Sequence, residues 1–185
     1  MRHIRGYTLI ETLVVSTIIC IIVLIAHNNV TSWLKANNAF LVSRELIHLV
    51  HYSRAYAIHS RRSLTFCGSS DGKICNNKWA NGALLFEDGN RNGIIDNTDH
   101  IIKIIPLNIK GHLVWKGFSG QRMVFEIMGI TSASNGSFTY CEKDKDPLYS
   151  RQVIVSRGGR ARLSQDKNDD GFHEDVNGSI IKCPN

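Results

Sequence analysis

The sequence predicts an α+β protein: one long N-terminal helix followed by a head of short antiparallel strands. Two observations carry this. No proline or glycine occurs from Val30 to Ile58, whereas fourteen of the fifteen glycines lie beyond Gly6, all after Arg62. Past Arg62, short β-type runs alternate with Gly, Asn and Asp, the pattern of strands joined by tight turns.

The helix begins in an apolar run. Leu13 to Ala26 is apolar apart from Ser16 and Thr17, and with Tyr7 to Thr12 it supplies the roughly 20 residues that a membrane-crossing helix needs. Arg2 and Arg5 favour a cytoplasmic N-terminus, which puts the rest of the chain outside. The basic piece is only MRHIRG and no small-residue cleavage site follows Ala26, so the run reads as a retained anchor over 7–26. Glu11 is out of place in it, because a carboxylate in hydrocarbon costs roughly 2.5 kcal/mol or more. Beyond the anchor, Val30, Trp33, Leu34, Leu41, Ile47, Val50 and Ile58 recur near helical spacing. They predict an amphipathic continuation over 27–61, laying this stripe on a head of residues 62–185.

The predicted strands are 63–67, 82–87, 100–106, 112–116, 122–128, 137–142, 151–156 and 160–164. Cys20 lies in the apolar run, where it acts as a small hydrophobe. Cys67, Cys75, Cys141 and Cys183 lie outside it, an even number that suggests two disulfides in an oxidising compartment. Order and loop length favour Cys67–Cys75 and Cys141–Cys183 among the three pairings that four cysteines permit. Zinc is the weaker reading, since no CxxC pair is present. The formal net charge of +6 is compatible with a polyanionic partner without demanding one.

Gly6-Tyr7-Thr8-Leu9-Ile10-Glu11 resembles the processing motif of type IV prepilins. The resemblance implies a leader of residues 1–6, cleavage after Gly6 by a prepilin peptidase, and methylation at the new N-terminal Tyr7. Glu11 would then pair with the α-amino group of a neighbouring subunit, neutralising two buried charges and setting the stagger of packed helices. The stretches ELIHLVHYSRAYAIHSRRSLTFC, KWANGALLFEDGNRNGIIDNTDHIIK and GSFTYC are similar to the GspH/FimT family of minor pilins. That likeness implies a type IV pilin-like fold, with two packed antiparallel sheets behind the helix.

In SRGGRARLS, Arg157, Arg160 and Arg162 surround Gly158-Gly159, and no acid occurs between Asp146 and Asp166. A Gly-Gly turn between two strands puts Arg160 and Arg162 on one face, where guanidinium groups can engage phosphate. Gly159-Arg160-Ala161-Arg162 looks like the G-R-x-R signature of FimT minor pilins, which implies DNA capture during natural transformation. Contacts to phosphate imply weak sequence preference and strong salt sensitivity. No aromatic platform for a single strand is evident nearby.

Asp88, Asn90, Asn92, Gly93, Asp96 and Asp99 match the spacing of a calcium loop, although the last ligand of such a loop is normally a bidentate Glu. Asn, Asp and Gly are also good turn formers, and the reading favoured here is a turn without metal. DKNDDGFHED, from Asp166, repeats the theme less completely. His48 and His51 stand one helical turn apart, without a supporting ligand pattern. No nucleophile, metalloprotease or phosphate-loop motif is present, so no enzyme and no cofactor are expected.

The combined expectation is a minor type IV pilin with its head periplasmic and its helix in the inner membrane, later part of a pilus at the cell surface. Its partners would be DNA, other pilins and the prepilin peptidase. The alternatives are a type II secretion minor pseudopilin that binds no DNA, or a calcium-stabilised structural or adhesive tip subunit.

Overall fold

The structure, a computed structural model, describes residues 6–118, 120–131 and 133–184, with only the backbone of 25–29. The leader's Arg2 and Arg5 lie outside the described residues. The chain divides into two compact units between Asn37 and Asn38. One helix, α1 (Leu9–Ser60), contributes to both.

A reciprocal cap starts α1. Glu11 Oε2 accepts the Thr8 N–H at 3.0 Å and the Thr8 hydroxyl at 3.1 Å, while the Thr8 hydroxyl oxygen accepts the Glu11 N–H at 3.3 Å. This is the capping box of a Thr three residues before a Glu, which satisfies helix-end donors that the chain would otherwise leave open. Large apolar side chains from Leu9 to Leu24 are exposed on every side of the helix. Among the described residues no helix is long and apolar enough to cross a membrane. The side chains of 25–29 are not described, so Ile25 and Ala26, which complete the expected span of 7–26, fall outside the described side chains.

In the second unit the buried face of α1 is Ala39, Val42, Ser43, Leu46, Leu49, Val50, Ser53 and Ala57. This corrects the expected stripe: Val30, Trp33, Leu34, Leu41 and Ile58 are exposed, and only Val50 of that set is fully buried. Small residues decide the matter. Ala39, Ser43, Ser53 and Ala57 let the helix backbone approach the sheets, and the buried Ser43 and Ser53 hydroxyls donate to the carbonyls of Ala39 and Leu49. Arg61, at φ 54, takes the left-handed conformation that ends a helix.

Eight strands follow: β1 (Leu64–Gly68), β2 (Gly82–Glu87), β3 (His100–Pro106), β4 (His112–Gly117), β5 (Arg122–Phe125), β6 (Gly136–Cys141), β7 (Arg151–Val155) and β8 (Ala161–Leu163). They form two antiparallel four-stranded sheets, ordered β3-β2-β1-β5 and β4-β6-β7-β8. The fifth strand is shorter than the expected 122–128, because Glu126–Gly129 turns the chain. Gly129 donates its N–H to the Glu126 carbonyl at 2.7 Å and has φ 71.

Aromatic rings from both sheets meet in the core. Trp79 packs edge-on against Phe66 of β1 at 5.0 Å and Phe138 of β6 at 4.8 Å, and Phe138 lies 4.6 Å from Trp115 of β4. Gly68 makes room for this: a Cβ there would stand 2.7 Å from the Trp79 ring. A second cluster of Cys67, Leu84 and Phe86 lies beneath Cys75 and Ile95, so the first sheet is covered on both faces. The disulfides are Cys67–Cys75 and Cys141–Cys183.

Among the described residues every buried hydrophobic side chain of the core belongs to 38–185, so this unit carries its own core. Phe138 is fully buried, and its replacement by Ala empties the space between the sheets. Urea denaturation of the 38–185 unit should show a loss of about 3–5 kcal/mol for Phe138→Ala.

Candidate nucleic-acid interface

The arginine turn grows out of the second sheet. Along β7, Val153 and Val155 point into the core, while Ile154 faces outward opposite Arg162 of β8. Between the strands, the Ser156 N–H donates to the Arg160 carbonyl at 3.0 Å and the Gly159 N–H to the Ser156 carbonyl at 2.9 Å. This is a three-residue hairpin loop with its last residue left-handed, Gly159 at φ 71.

The loop at Glu126–Ile130 has the same build. Glu126 donates to the Ile130 carbonyl at 2.9 Å, and Gly129 has the φ of Gly159. The two turns stack. A Cβ on Gly159 would stand 2.1 Å from the Gly129 carbonyl oxygen, and that oxygen accepts from Arg54 Nε of α1 at 3.1 Å. Thr131 ties the loops together, its N–H donating to the Arg157 carbonyl at 2.8 Å and its hydroxyl to the Ser156 carbonyl at 3.0 Å. The turn is therefore held from α1 and from the neighbouring loop.

Arg157, Arg160 and Arg162 are all exposed. Arg160 and Arg162 line one hollow of about 360 Å³ with Ile154, Ser156 and Ala161, and Arg157 is not among its lining. Neither Arg160 nor Arg162 is in an ion pair among the described residues, unlike Arg62, paired with Glu87, and Arg91, paired with Glu126. One rung crosses the whole sheet on this face: Lys116, Ser137, Ile154 and Arg162 are successive partners. Lys116 lines an adjoining hollow of about 530 Å³ together with Ser156, Asp175 and Phe118. Phe118, 82% exposed, is an aromatic side chain close to the turn that the sequence alone did not bring there. Its only sequence signal was its place beside Gly117 at a strand end. Lys182 faces Lys116 and Asp175 rather than the arginines.

The first acidic loop is closed by its own hydrogen bonds. Asp88, fully buried, accepts from the Thr65 hydroxyl at 2.6 Å and from the N–H groups of Gly93 at 2.9 Å and Asn92 at 3.1 Å. Asn90 donates to Asp96 at 3.0 Å, and hydrogen bonds from Thr98 hold the Asp96 carboxyl below its usual range. Among the described residues the acidic groups that do converge are Asp166, Asp170 and Glu174, with one oxygen from each within 4.8 Å of the others. His48 and His51 are both exposed on α1 and belong to no such group. Beside the acidic group, His173 Nδ1 lies 3.0 Å from the Ser164 hydroxyl, and burial, then the nearby Arg151 charge, hold this imidazole below its usual range.

The family described as type II transport protein GspH matches residues 42–159, and the prokaryotic N-terminal methylation motif matches residues 1–26. The chain belongs to the GspH family. Its fold is that of a minor type IV pilin or pseudopilin, a class of structural proteins. A crystal structure of the type IV minor pilin FimU of Pseudomonas aeruginosa has a TM-score of 0.53 at 18% identity. It covers 70% of this chain and 90% of that one. A second crystal form of that pilin has a TM-score of 0.47 at 19% identity, with 67% and 90% covered. No curated protein matches the sequence. The family match stops at Gly159, so Arg160, Arg162 and the whole C-terminal arm of this GspH-family chain lie beyond it.

Gly158 and Gly159 make different demands. A Cβ on Gly158 meets nothing closer than 3.9 Å, whereas one on Gly159 meets backbone in a left-handed conformation. Gly159→Ala should cost about 1–3 kcal/mol or more in urea denaturation, and Gly158→Ala should stay within about 0.5 kcal/mol.

Proposed function

We propose that this chain is a minor type IV pilin that binds DNA through its arginine turn during uptake for natural transformation. The observation that carries the reading is the pair Arg160 and Arg162, exposed, without ion-pair partners among the described residues, and lining one hollow. Arg157, at the tip of the same turn, supplies a third positive charge, and Gly159 gives the turn its shape. Planar guanidinium groups suit phosphate oxygens, and a rigidly held turn loses little entropy on binding.

In this reading the chain is made as an inner-membrane prepilin with its head in the periplasm, cleaved after Gly6 and methylated at Tyr7. The helix then enters a filament with other pilins. Apolar side chains exposed on all sides from Leu9 to Leu24 support a helix that is covered by lipid first and by neighbouring subunits afterwards. Glu11 begins as the partner of Thr8, and on assembly it exchanges that bond for a neighbour's α-amino group.

A second reading has its own support: the matched family is described by type II transport. A minor pseudopilin would share the helix and fold and bind no DNA. In a deletion strain, loss of transformation favours the first reading and loss of protein secretion the second.

DNA binding by the 38–185 unit tests the proposal directly. Fluorescence anisotropy should show binding that weakens steeply with salt. Replacing Arg160 and Arg162 together by Gln should weaken it and lower the slope of log K against log salt by about 2, since each lost phosphate contact removes about 0.9. A wild-type unit that binds no DNA at low salt would sink the reading.

A further inference from the structure

The acidic segment after β8 is built differently from the first acidic loop. In Asp166-Lys167-Asn168-Asp169-Asp170-Gly171-Phe172-His173-Glu174, the carboxylates at positions one, five and nine converge within 4.8 Å. Two further observations point to what is held there. Asp166 Oδ1 is shielded from solvent and has no hydrogen-bond donor, while Oδ2 accepts the Gly171 N–H at 2.8 Å. Glu174 is only 6% exposed, and among the described residues its one side-chain hydrogen bond is the Lys167 N–H on Oε2 at 3.0 Å. Oε1 is left without a donor.

No protein cation among the described residues pairs with these groups. Arg151 acts on Asp166 through its field, but its Nη1 donates to the carbonyls of Leu148 and Ser150 at 2.9 and 2.8 Å. A carboxylate oxygen shielded from water and without a donor, on a side chain grouped with two other carboxylates, is the arrangement a cation compensates.

We infer that Asp166, Asp170 and Glu174 form a calcium site. The donors are all hard oxygens. Asn168 stands at position three, and Gly171 at position six, with φ 89, makes the sharp turn that calcium loops require. The Phe172 carbonyl follows at position seven, where such loops use backbone. His173 turns its Nδ1 to Ser164, so no imidazole nitrogen is in the group, and zinc is not the ion it suits. Magnesium demands a tighter octahedron and keeps its waters, which fits a site of several carboxylates and a backbone carbonyl less well. The ion would fasten the loop after β8 to the bridge between Glu174 and Ile180, and it would lie beside the hollow that Arg162, Asp166 and His173 share.

The test uses the full-length chain in non-ionic detergent, stripped with chelator, by titration calorimetry with calcium chloride and by thermal melting. One calcium per chain should bind, with a Kd between roughly 10 μM and 1 mM, and should raise the melting temperature. Asp170 is exposed and bonded within its own loop, so Asp170→Asn should melt like wild type without calcium. That variant should bind calcium at least about tenfold more weakly, as should Glu174→Gln, whereas Asp96→Asn in the first loop should change nothing. The inference falls if no heat or melting shift appears up to roughly 10 mM calcium, ten times the weak end of that range. It also falls if Asp170→Asn binds as well as wild type, if only Asp96→Asn loses binding, or if magnesium binds as tightly as calcium.

Discussion

The head depends on one contact, the edge-to-face meeting of Trp79 with Phe66 and Phe138. The apolar faces of the two sheets are buried in one shared core, and these rings join them across it. Trp79 is on neither sheet. It arrives from the loop after Cys75, which the Cys67–Cys75 disulfide keeps short, and Gly68 opens the space for it. Its indole N–H donates to Asn77 at 2.9 Å, so the ring is buried without a lost hydrogen bond. With the sheets registered in this way, the outer face of β4-β6-β7-β8 is left for the rung that ends at Arg162.

Most of the strand plan was legible because its signals are local. Alternation and punctuation by Gly and Asn gave 82–87 and 100–106 with the bounds observed for β2 and β3, and the other strands to within a residue or so, apart from β5. Two errors share a cause. The helix stripe was sought among large apolar residues, but the packed face of α1 is set by Ala39, Ser43 and Ala57, whose value lies in what they leave room for. Ile127 and Met128 read as strand, whereas Gly129 turns the chain there to meet a second turn thirty residues on. Contacts of that separation leave no local trace.

The same division runs through the candidate sites. The Gly-Gly turn and its arginines were visible as a pattern, but the props beneath them, Arg54 and the Gly129 carbonyl, come from the helix and from another loop. Of the two acidic loops, the first has the better spacing, yet Thr65 and the loop's own amides already occupy Asp88. The second has the poorer spacing and the converging oxygens. The Thr8–Glu11 box is legible as a Thr-x-x-Glu pattern, but in an apolar run the charge of the carboxylate is the stronger signal and its hydrogen bonds the weaker.

Cys141 and Cys183 are 42 residues apart, and everything from the end of β6 to the tail lies between them. The arginine turn and the acidic loop therefore sit on a covalent ring. The ring sets the path that a pull on the head would follow. Tension applied at the turn would otherwise be resisted by β8, an edge strand with three paired residues, which could peel away. While the disulfide is oxidised, the ring returns the chain to β6 by a second, covalent route, so the edge can open by no more than its own slack. A proteolytic nick anywhere in the loop would leave both ends attached to the head.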